Sequence, residues 1–315
     1  MRGNPSHAQG FTLIELSIVL VIIGLIVGGV LVGQNLIVAA GVRAQVAQIE
    51  KFNTAANTFR GKYGYLPGDI KDPDAGNFGF QARGQYAGEG DGNGVLLGNH
   101  NNDSSAADGR DSAGGETVMF WVDLSAAHLI DQTFNTATSI STACATAAMS
   151  ACFPTAKISN TNYIYVYSGG YYGTSWVSNG VNYFGISSAT SLAYNGVANS
   201  TPMLTVQQAY AIDSKMDDGF PQSGNVTATY LNMNINPSSI TWAAGGGVSG
   251  AYSGSAYQPA PTNSATAGSS TTCYDNSSAA SGTPGVAGAV QHYSVEISNG
   301  ANVNCALSFK MQAGD

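Results

Sequence analysis

The residue types that commonly carry catalysis are few and scattered in this chain. Four histidines are spread over 315 residues, and the sequence contains no G-x-S-x-G, no HExxH, no P-loop and no plausible Cys–His pair. Asp217 and Asp218 are adjacent carboxylates before Gly219, whereas a hydrolase needs carboxylates that face each other across a substrate. Capping and turn formation are therefore their predicted roles, and we expect no enzyme activity.

One loop offers the oxygen ligands that a hard cation prefers. Glu89, Asp91 and Asn93 alternate with glycines, a pattern that calcium sites use. An EF-hand would need a bidentate glutamate at the twelfth position, which counted from Glu89 is His100, so that motif is excluded. A solvated turn is the competing interpretation, and no other cofactor is expected. Further acids that could complete a site follow in the sequence: Asp103, Asp108, Asp111 and Glu116.

The four cysteines are Cys144, Cys152, Cys273 and Cys305. None forms a C-x-x-C pair, and the spacing does not suggest zinc. An even number of cysteines in an exported chain indicates disulfides, for which three pairings exist. We predict Cys144–Cys152 and Cys273–Cys305, because both close short loops in sequence order. Buried free thiols are the alternative.

Glu15 lies beside a long apolar run near the start of the chain. The segment from Phe11 to Gly33 reads FTLIELSIVLVIIGLIVGGVLVG and has no charge after Glu15. From Leu16 onward it would make about 27 Å of helix, enough to span a bilayer core. A carboxylate within a bilayer is costly unless it is paired, so Glu15 is a candidate functional residue.

The ten residues before this run, MRGNPSHAQG, are too short and too polar for the apolar part of an ordinary secretory signal. The sequence from Gly10 through Phe11 and Glu15 to Leu16, GFTLIEL, closely resembles the prepilin cleavage and methylation motif of type IV pilins and type II secretion pseudopilins. The resemblance implies cleavage after Gly10 by a membrane aspartic peptidase, methylation of the new amine of Phe11, and attraction of a neighbouring subunit's amine by Glu15. An ordinary N-terminal anchor helix is the alternative.

The helix is predicted to continue beyond the apolar run as an amphipathic segment. No proline occurs from Gln34 to Lys62, and Pro67-Gly68 marks the turn that ends the helix. Apolar residues recur at helical spacing: Val42, Val46, Ile49, Phe52, Ala56 and Phe59. We therefore divide the chain into a leader (1–10), a long helix (11–62, with 11–33 in membrane or filament core) and an extracytoplasmic head (63–315).

The head reads as a mixed structure with an antiparallel sheet. A helix is predicted over 115–130 and another over 205–216, where Thr205 and Gln208 form a capping box. Strands are predicted over 162–166, 171–177 and 181–186, with two more between 290 and 311. Residues 238–288 are a low-complexity loop and a candidate for glycosylation. The predicted fold class is α+β: a long N-terminal helix packed on an antiparallel β-sheet head with long loops, as in pilins.

Composition argues against a nucleic-acid-binding function. Charged residues make up 10% of the chain and the net charge is −8, so the head lacks the basic face that a nucleic-acid reader needs. The resemblance implies a bacterial inner-membrane precursor, an inner-membrane assembly platform, and self-assembly into a helical filament that is periplasmic or on the cell surface. The predicted function is a structural subunit of a type IV pilus-like filament. A type II secretion pseudopilin and a minor pilin with an adhesive head are the alternatives.

Overall fold

The computed structural model describes residues 12–99, 107–108, 113–139, 143–169, 171–172, 175–176, 180–193, 197–232, 240–243, 270–275 and 291–314. The chain forms two compact units, Met1–Gly41 and Val42–Asp315. The first contains the N-terminal part of a single long helix. The second contains the remainder of that helix and the head.

The described residues form helices and short strands in alternating blocks. The helices are α1 (Leu13–Tyr63), α2 (Asp74–Asn77), α3 (Glu116–Ala126), α4 (Ala143–Thr146), α5 (Met149–Cys152) and α6 (Val206–Met216), with 3₁₀ turns at Ile297–Gly300 and Gln312–Gly314. The strands are β1 (Gly98–Asn99), β2 (Ala107–Asp108), β3 (Tyr163–Ser168), β4 (Tyr171–Tyr172), β5 (Ser175–Trp176), β6 (Asn182–Ala193), β7 (Val197–Thr201), β8 (Leu204–Thr205), β9 (Val226–Thr227), β10 (Thr229–Leu231), β11 (Ile240–Trp242), β12 (Tyr274–Asp275), β13 (His292–Tyr293), β14 (Val303–Cys305) and β15 (Leu307–Lys310).

Helix α1 runs without interruption for 51 residues. Its charges suit the helix dipole, because Glu15 lies in the first turn and Arg60 and Lys62 lie in the last. The helix ends where Gly64 takes a φ of 80° and its N–H donates to the carbonyl of Arg60 at 2.8 Å. The predicted C-terminal boundary of this helix is thus correct to within one residue.

The principal sheet is antiparallel and has five strands. Its order is β3-β6-β15-β9, and β7 pairs with the far end of the long strand β6. The C-terminal strand β15 therefore lies inside the sheet, where Phe309 faces Phe184 of β6 across the ladder. The mixed α+β class with an antiparallel sheet agrees with the prediction.

The core of the head lies between α1, α3 and this sheet. Phe52 of α1 packs edge-on against Trp121 of α3, with ring centroids 4.9 Å apart, and lies 6.3 Å from Phe184 of β6. The apolar stripe predicted on α1 faces this core: Val42, Ile49, Phe52, Ala56 and Phe59 are buried, and Val46 is partly buried. Helical periodicity alone thus identified the side of α1 that the head covers.

Several elements of the head differ from their predicted extents. Helix α3 ends at Ala126, four residues before the predicted end, and it is a central helix that is buried from Glu116 to Ser125. Residues 171–177 contain the paired short strands β4 and β5 instead of one strand. Near the C-terminus, only His292–Tyr293 of the predicted strand pairs, because a 3₁₀ turn follows at Ile297.

Candidate assembly site

The first turn of α1 is closed by a reciprocal cap between Thr12 and Glu15. The backbone N–H and the hydroxyl of Thr12 both donate to Glu15 Oε2, at 2.8 and 2.9 Å. The N–H of Glu15 returns a longer bond of 3.4 Å to Thr12 Oγ1. This is a capping box, whose signature is a threonine followed three residues later by a glutamate. The sequence contains that signal, although the role predicted for Glu15 is in assembly alone.

The helix surface that follows is apolar and almost entirely exposed. Large aliphatic side chains from Leu13 to Val38 are between 44 and 89% exposed. The helix is long and apolar enough to cross a membrane, judged by length and composition. Gly10 and Phe11, the predicted processing residues, lie outside the described residues. The described site therefore consists of a capped acidic turn followed by an uncovered apolar helix.

The second half of α1 is joined to the head by side-chain amides. Gln48 donates to the carbonyl of Thr155 at 3.0 Å and accepts from the N–H of Lys157 at 2.9 Å. Gln45 accepts from Ile158, 3.2 Å away. These bonds attach the helix to the segment that follows α5. Residues 155–158 are thus attached to the helix.

The two disulfides join the cysteines in sequence order, the first to the second and the third to the fourth. Cys144 on α4 bonds to Cys152 at the end of α5, and Cys273 before β12 bonds to Cys305 at the end of β14. All four cysteines are buried. The second bridge fastens Cys273, which lies within the low-complexity region, to the strand that precedes β15.

The candidate calcium loop folds around two buried carboxylates. Asp69 accepts backbone N–H bonds from Gly92 and Gly94, both at 2.8 Å, and from Asn93 at 3.2 Å. Burial, and next the charge of Asp91, raise the pKa of Asp69 to about 7 against these bonds. Asp69 therefore organises the loop as an internal acceptor.

Glu116, the first residue of α3, is a second internal acceptor and binds the two ends of the loop. It accepts from the N–H groups of Gly90, Asp91 and Leu97 at 2.8 to 3.3 Å. Burial, and then the charges of Asp69 and Asp91, raise its pKa well above the ordinary value. One oxygen from each of Asp69, Asp91 and Glu116 lies within 4.8 Å of the others. The sequence pattern names Asp91 and Glu116 as candidate ligands, but it does not identify Asp69, which follows the Pro67-Gly68 turn.

The other two calcium candidates are placed differently. Glu89 is fully buried, and its Oε2 accepts from the N–H of Tyr86 at 3.0 Å. Asn93 donates through its side chain to Asp91 Oδ2 at 2.9 Å. Calcium binding by Glu89, Asp91 and Asn93 stays a prediction.

A buried ion pair between Arg83 and Asp123, with the hydrogen bonds around it, connects the segment after α1 to α3. Arg83 Nη2 lies 2.6 and 2.7 Å from the two oxygens of Asp123, and both side chains are inaccessible to solvent. Asp123 also accepts from the N–H of Gly68 at 2.6 Å, and Arg83 Nε donates to the carbonyl of Ile70 at 3.0 Å. Sequence reasoning did not identify this pair, because an arginine in a polar loop gives no local signal of burial.

The acids at the end of α6 hold a turn. Asp218 accepts from the N–H of Phe220 and Asp217 from that of Val226, at 2.9 and 3.1 Å. Asp213, one turn earlier, is buried and accepts from the hydroxyl of Tyr293 at 2.8 Å. Burial raises its pKa to about 7. The capping box predicted at Thr205 is present.

Comparison with known proteins matches only the N-terminal segment. Residues 5–31 match the model of the prokaryotic N-terminal methylation motif. No curated protein and no solved structure gives a significant match to the chain. The matched segment covers the leader, Glu15 and most of the exposed apolar helix. The chain therefore carries the prepilin-type cleavage and methylation motif of type IV pilins and pseudopilins.

Proposed function

We propose that the protein is a structural subunit of a type IV pilus-like filament, cleaved by prepilin peptidase after Gly10 and assembled through α1. The observation that carries the proposal is the methylation motif at residues 5–31 joined to an exposed apolar helix that begins at Leu13. Before assembly this helix anchors the precursor in the inner membrane. An inner-membrane platform then transfers the subunit to a filament in the periplasm or at the cell surface.

In this proposal Glu15 pairs with the methylated amine of Phe11 on a neighbouring copy. Both charges would otherwise be desolvated in an apolar filament core, and each offsets the other's cost. The intramolecular cap uses Oε2 for both of its bonds from Thr12. Glu15 can therefore retain its cap while Oε1 accepts from the incoming amine.

Two substitutions separate the cap from the charge. Glu15→Val removes both, and we expect a processed protein that forms no filaments. Thr12→Val removes the donor hydroxyl while leaving the carboxylate, and we expect it to retain filaments. Processing of both variants is verified by mass spectrometry. Normal filaments from Glu15→Val would refute the assigned role, and equal loss in both variants would reduce it to helix capping.

The proposal as a whole is tested on the wild-type protein. Mass spectrometry of material sheared from cells should show a chain that starts at Phe11 and carries one extra methyl group. Electron microscopy of the same fraction should show filaments that contain this protein. A chain that keeps residues 1–10 would refute prepilin processing.

A second candidate is a pseudopilin of a type II secretion system, which shares the same motif. A neighbouring outer-membrane secretin gene with secreted hydrolases would favour it, and a retraction-motor gene would favour a pilus.

The third candidate is a minor pilin with an adhesive, tyrosine-rich head. Tyr165 and Tyr167 are fully buried, so they pack in the core and offer no adhesive surface. Glycan-array binding by the protein would support adhesion.

A further inference from the structure

Arg43 and Glu50 carry opposite charges on the exposed side of α1, in the part of the helix that belongs to the head unit. They are seven residues apart, which is about 10.5 Å along a helix. Opposite charges pair within a helix when they are three or four residues apart, so these two do not pair with each other. Among the described residues, neither side chain has a hydrogen-bond or ion-pair partner. Their partners are therefore solvent or another molecule.

The membrane boundary does not account for both charges. With Leu16 at the inner edge of a bilayer core of about 30 Å, Arg43 lies about 10 Å beyond the outer edge and Glu50 about 20 Å beyond it. Anionic lipid headgroups attract a basic side chain near the surface, but they offer no partner to a glutamate. A second copy of the chain offers a partner to each, because the two charges are complementary.

Both charges continue the line of Glu15 along the helix. Arg43 follows Glu15 by 28 residues and Glu50 follows it by 35, which are four and five whole heptads. Helices that pack along their length supercoil so that residues whole heptads apart stay on the same contact side. The contact proposed at Glu15 therefore extends to Arg43 and Glu50. Ala47 lies between the two charges and is exposed, and its small side chain lets a second helix approach.

The offset between copies brings the two charges together. A Phe11 amine that is level with a neighbour's Glu15 displaces its own copy by four residues toward the C-terminal end of α1. Arg43 of the displaced copy is then level with the neighbour's Ala47, three residues or about 4.5 Å below Glu50. Helical side chains lean toward the N-terminus, so the glutamate leans toward the arginine. At zero offset each charge would instead face its own kind, which is repulsive.

We propose that Arg43 of one copy forms an ion pair with Glu50 of a neighbouring copy, and that this pair holds the offset between packed α1 helices. The contact rests on the proposed filament function and adds a second polar contact to the one at Glu15. The reverse combination stays eleven residues apart, so each pair of neighbouring helices has one such bridge.

The test exchanges the two charges in the full-length chain, in cells. Arg43→Glu and Glu50→Arg each place like charges at the contact, and the double variant Arg43→Glu/Glu50→Arg restores an opposite pair. Lys51→Glu is the matched control, because it makes the same change of charge on the same helix at a residue that pairs with Asp131 of its own chain. Mass spectrometry verifies processing, and electron microscopy with immunoblotting of sheared material measures filament yield.

We expect each single reversal at Arg43 or Glu50 to be processed and to lose most of its filaments. The double variant should regain most of the yield, which also shows that neither substitution prevents folding. Filaments at the wild-type yield from both single variants would overturn the inference, and so would a processed double variant that stays as deficient as the single ones. An equal loss in Lys51→Glu would assign the effect to net charge and overturn it as well. If wild-type protein is processed but forms no filaments, the proposed function itself fails.

Discussion

Replacing Arg83 by methionine should strongly destabilise the head. The change leaves Asp123 as a carboxylate that is 1% exposed, with the N–H of Gly68 as its remaining described hydrogen-bond donor. Breaking a buried pair from one side costs roughly 3 to 5 kcal/mol, because a buried charge loses its partner. The unfolding temperature should fall by about 10 °C, given a few degrees per kcal/mol for a domain of this size.

The same substitution in an exposed pair provides the control. Lys51 pairs with Asp131, whose side chains are 49 and 89% exposed, and such pairs contribute roughly 0 to 1 kcal/mol. We would compare Arg83→Met with Lys51→Met by urea unfolding of Val42–Asp315, the unit that contains the core. Equal costs for the two variants would refute the argument.

The pH dependence of the stability loss in Arg83→Met tests independently whether the unpaired charge of Asp123 causes it. Burial raises the pKa of Asp123, while the charge of Arg83 lowers it. Without Arg83 the carboxyl should bind a proton more readily in the folded state, so the cost of Arg83→Met should be smaller at pH 5 than at pH 8. A double variant, Arg83→Met/Asp123→Leu, should recover most of the lost stability, since it leaves no unpaired charge. A cost that is independent of pH would indicate lost packing instead.

Two further predictions concern Asp213 and the disulfides. Because the pKa of Asp213 rises from 3.8 to about 7 on folding, its contribution to stability is full below pH 3.8 and is lost as pH rises to about 7. Asp213→Asn should remove up to about 4 kcal/mol of that pH dependence, less whatever solvent screening takes away, in unfolding titrations from pH 4 to 8. Replacing Cys273 and Cys305 by alanine should cost about 4 kcal/mol, against about 2.5 for Cys144 and Cys152. The loops span 32 and 8 residues, and chain entropy makes the longer one the larger contributor; equal losses in denaturant unfolding would contradict this ranking.

Local sequence patterns were sufficient to predict the N-terminal helix, its motif and the start of α6. Helix α1, its buried stripe and the methylation motif depend on residues within a few positions of one another. The helix end at Tyr63 lies one residue beyond the boundary predicted from Pro67-Gly68, and the capping box at Thr205 follows from a four-residue pattern. Periodicity and short motifs therefore located these features because their determinants are contiguous.

Tertiary structure decided which polar residues are interior. Asp69 and Glu116 come from distant parts of the sequence, and they meet only because the loop between them folds back to donate its N–H groups. Arg83 and Asp123 are buried as a pair for the same reason. Burial and partnership depend on contacts between remote segments, which no local pattern records. The sequence by itself determined the methylation motif and the long apolar helix on which the proposed anchoring and processing rest, and only the folded head decided which acids hold its loops in place.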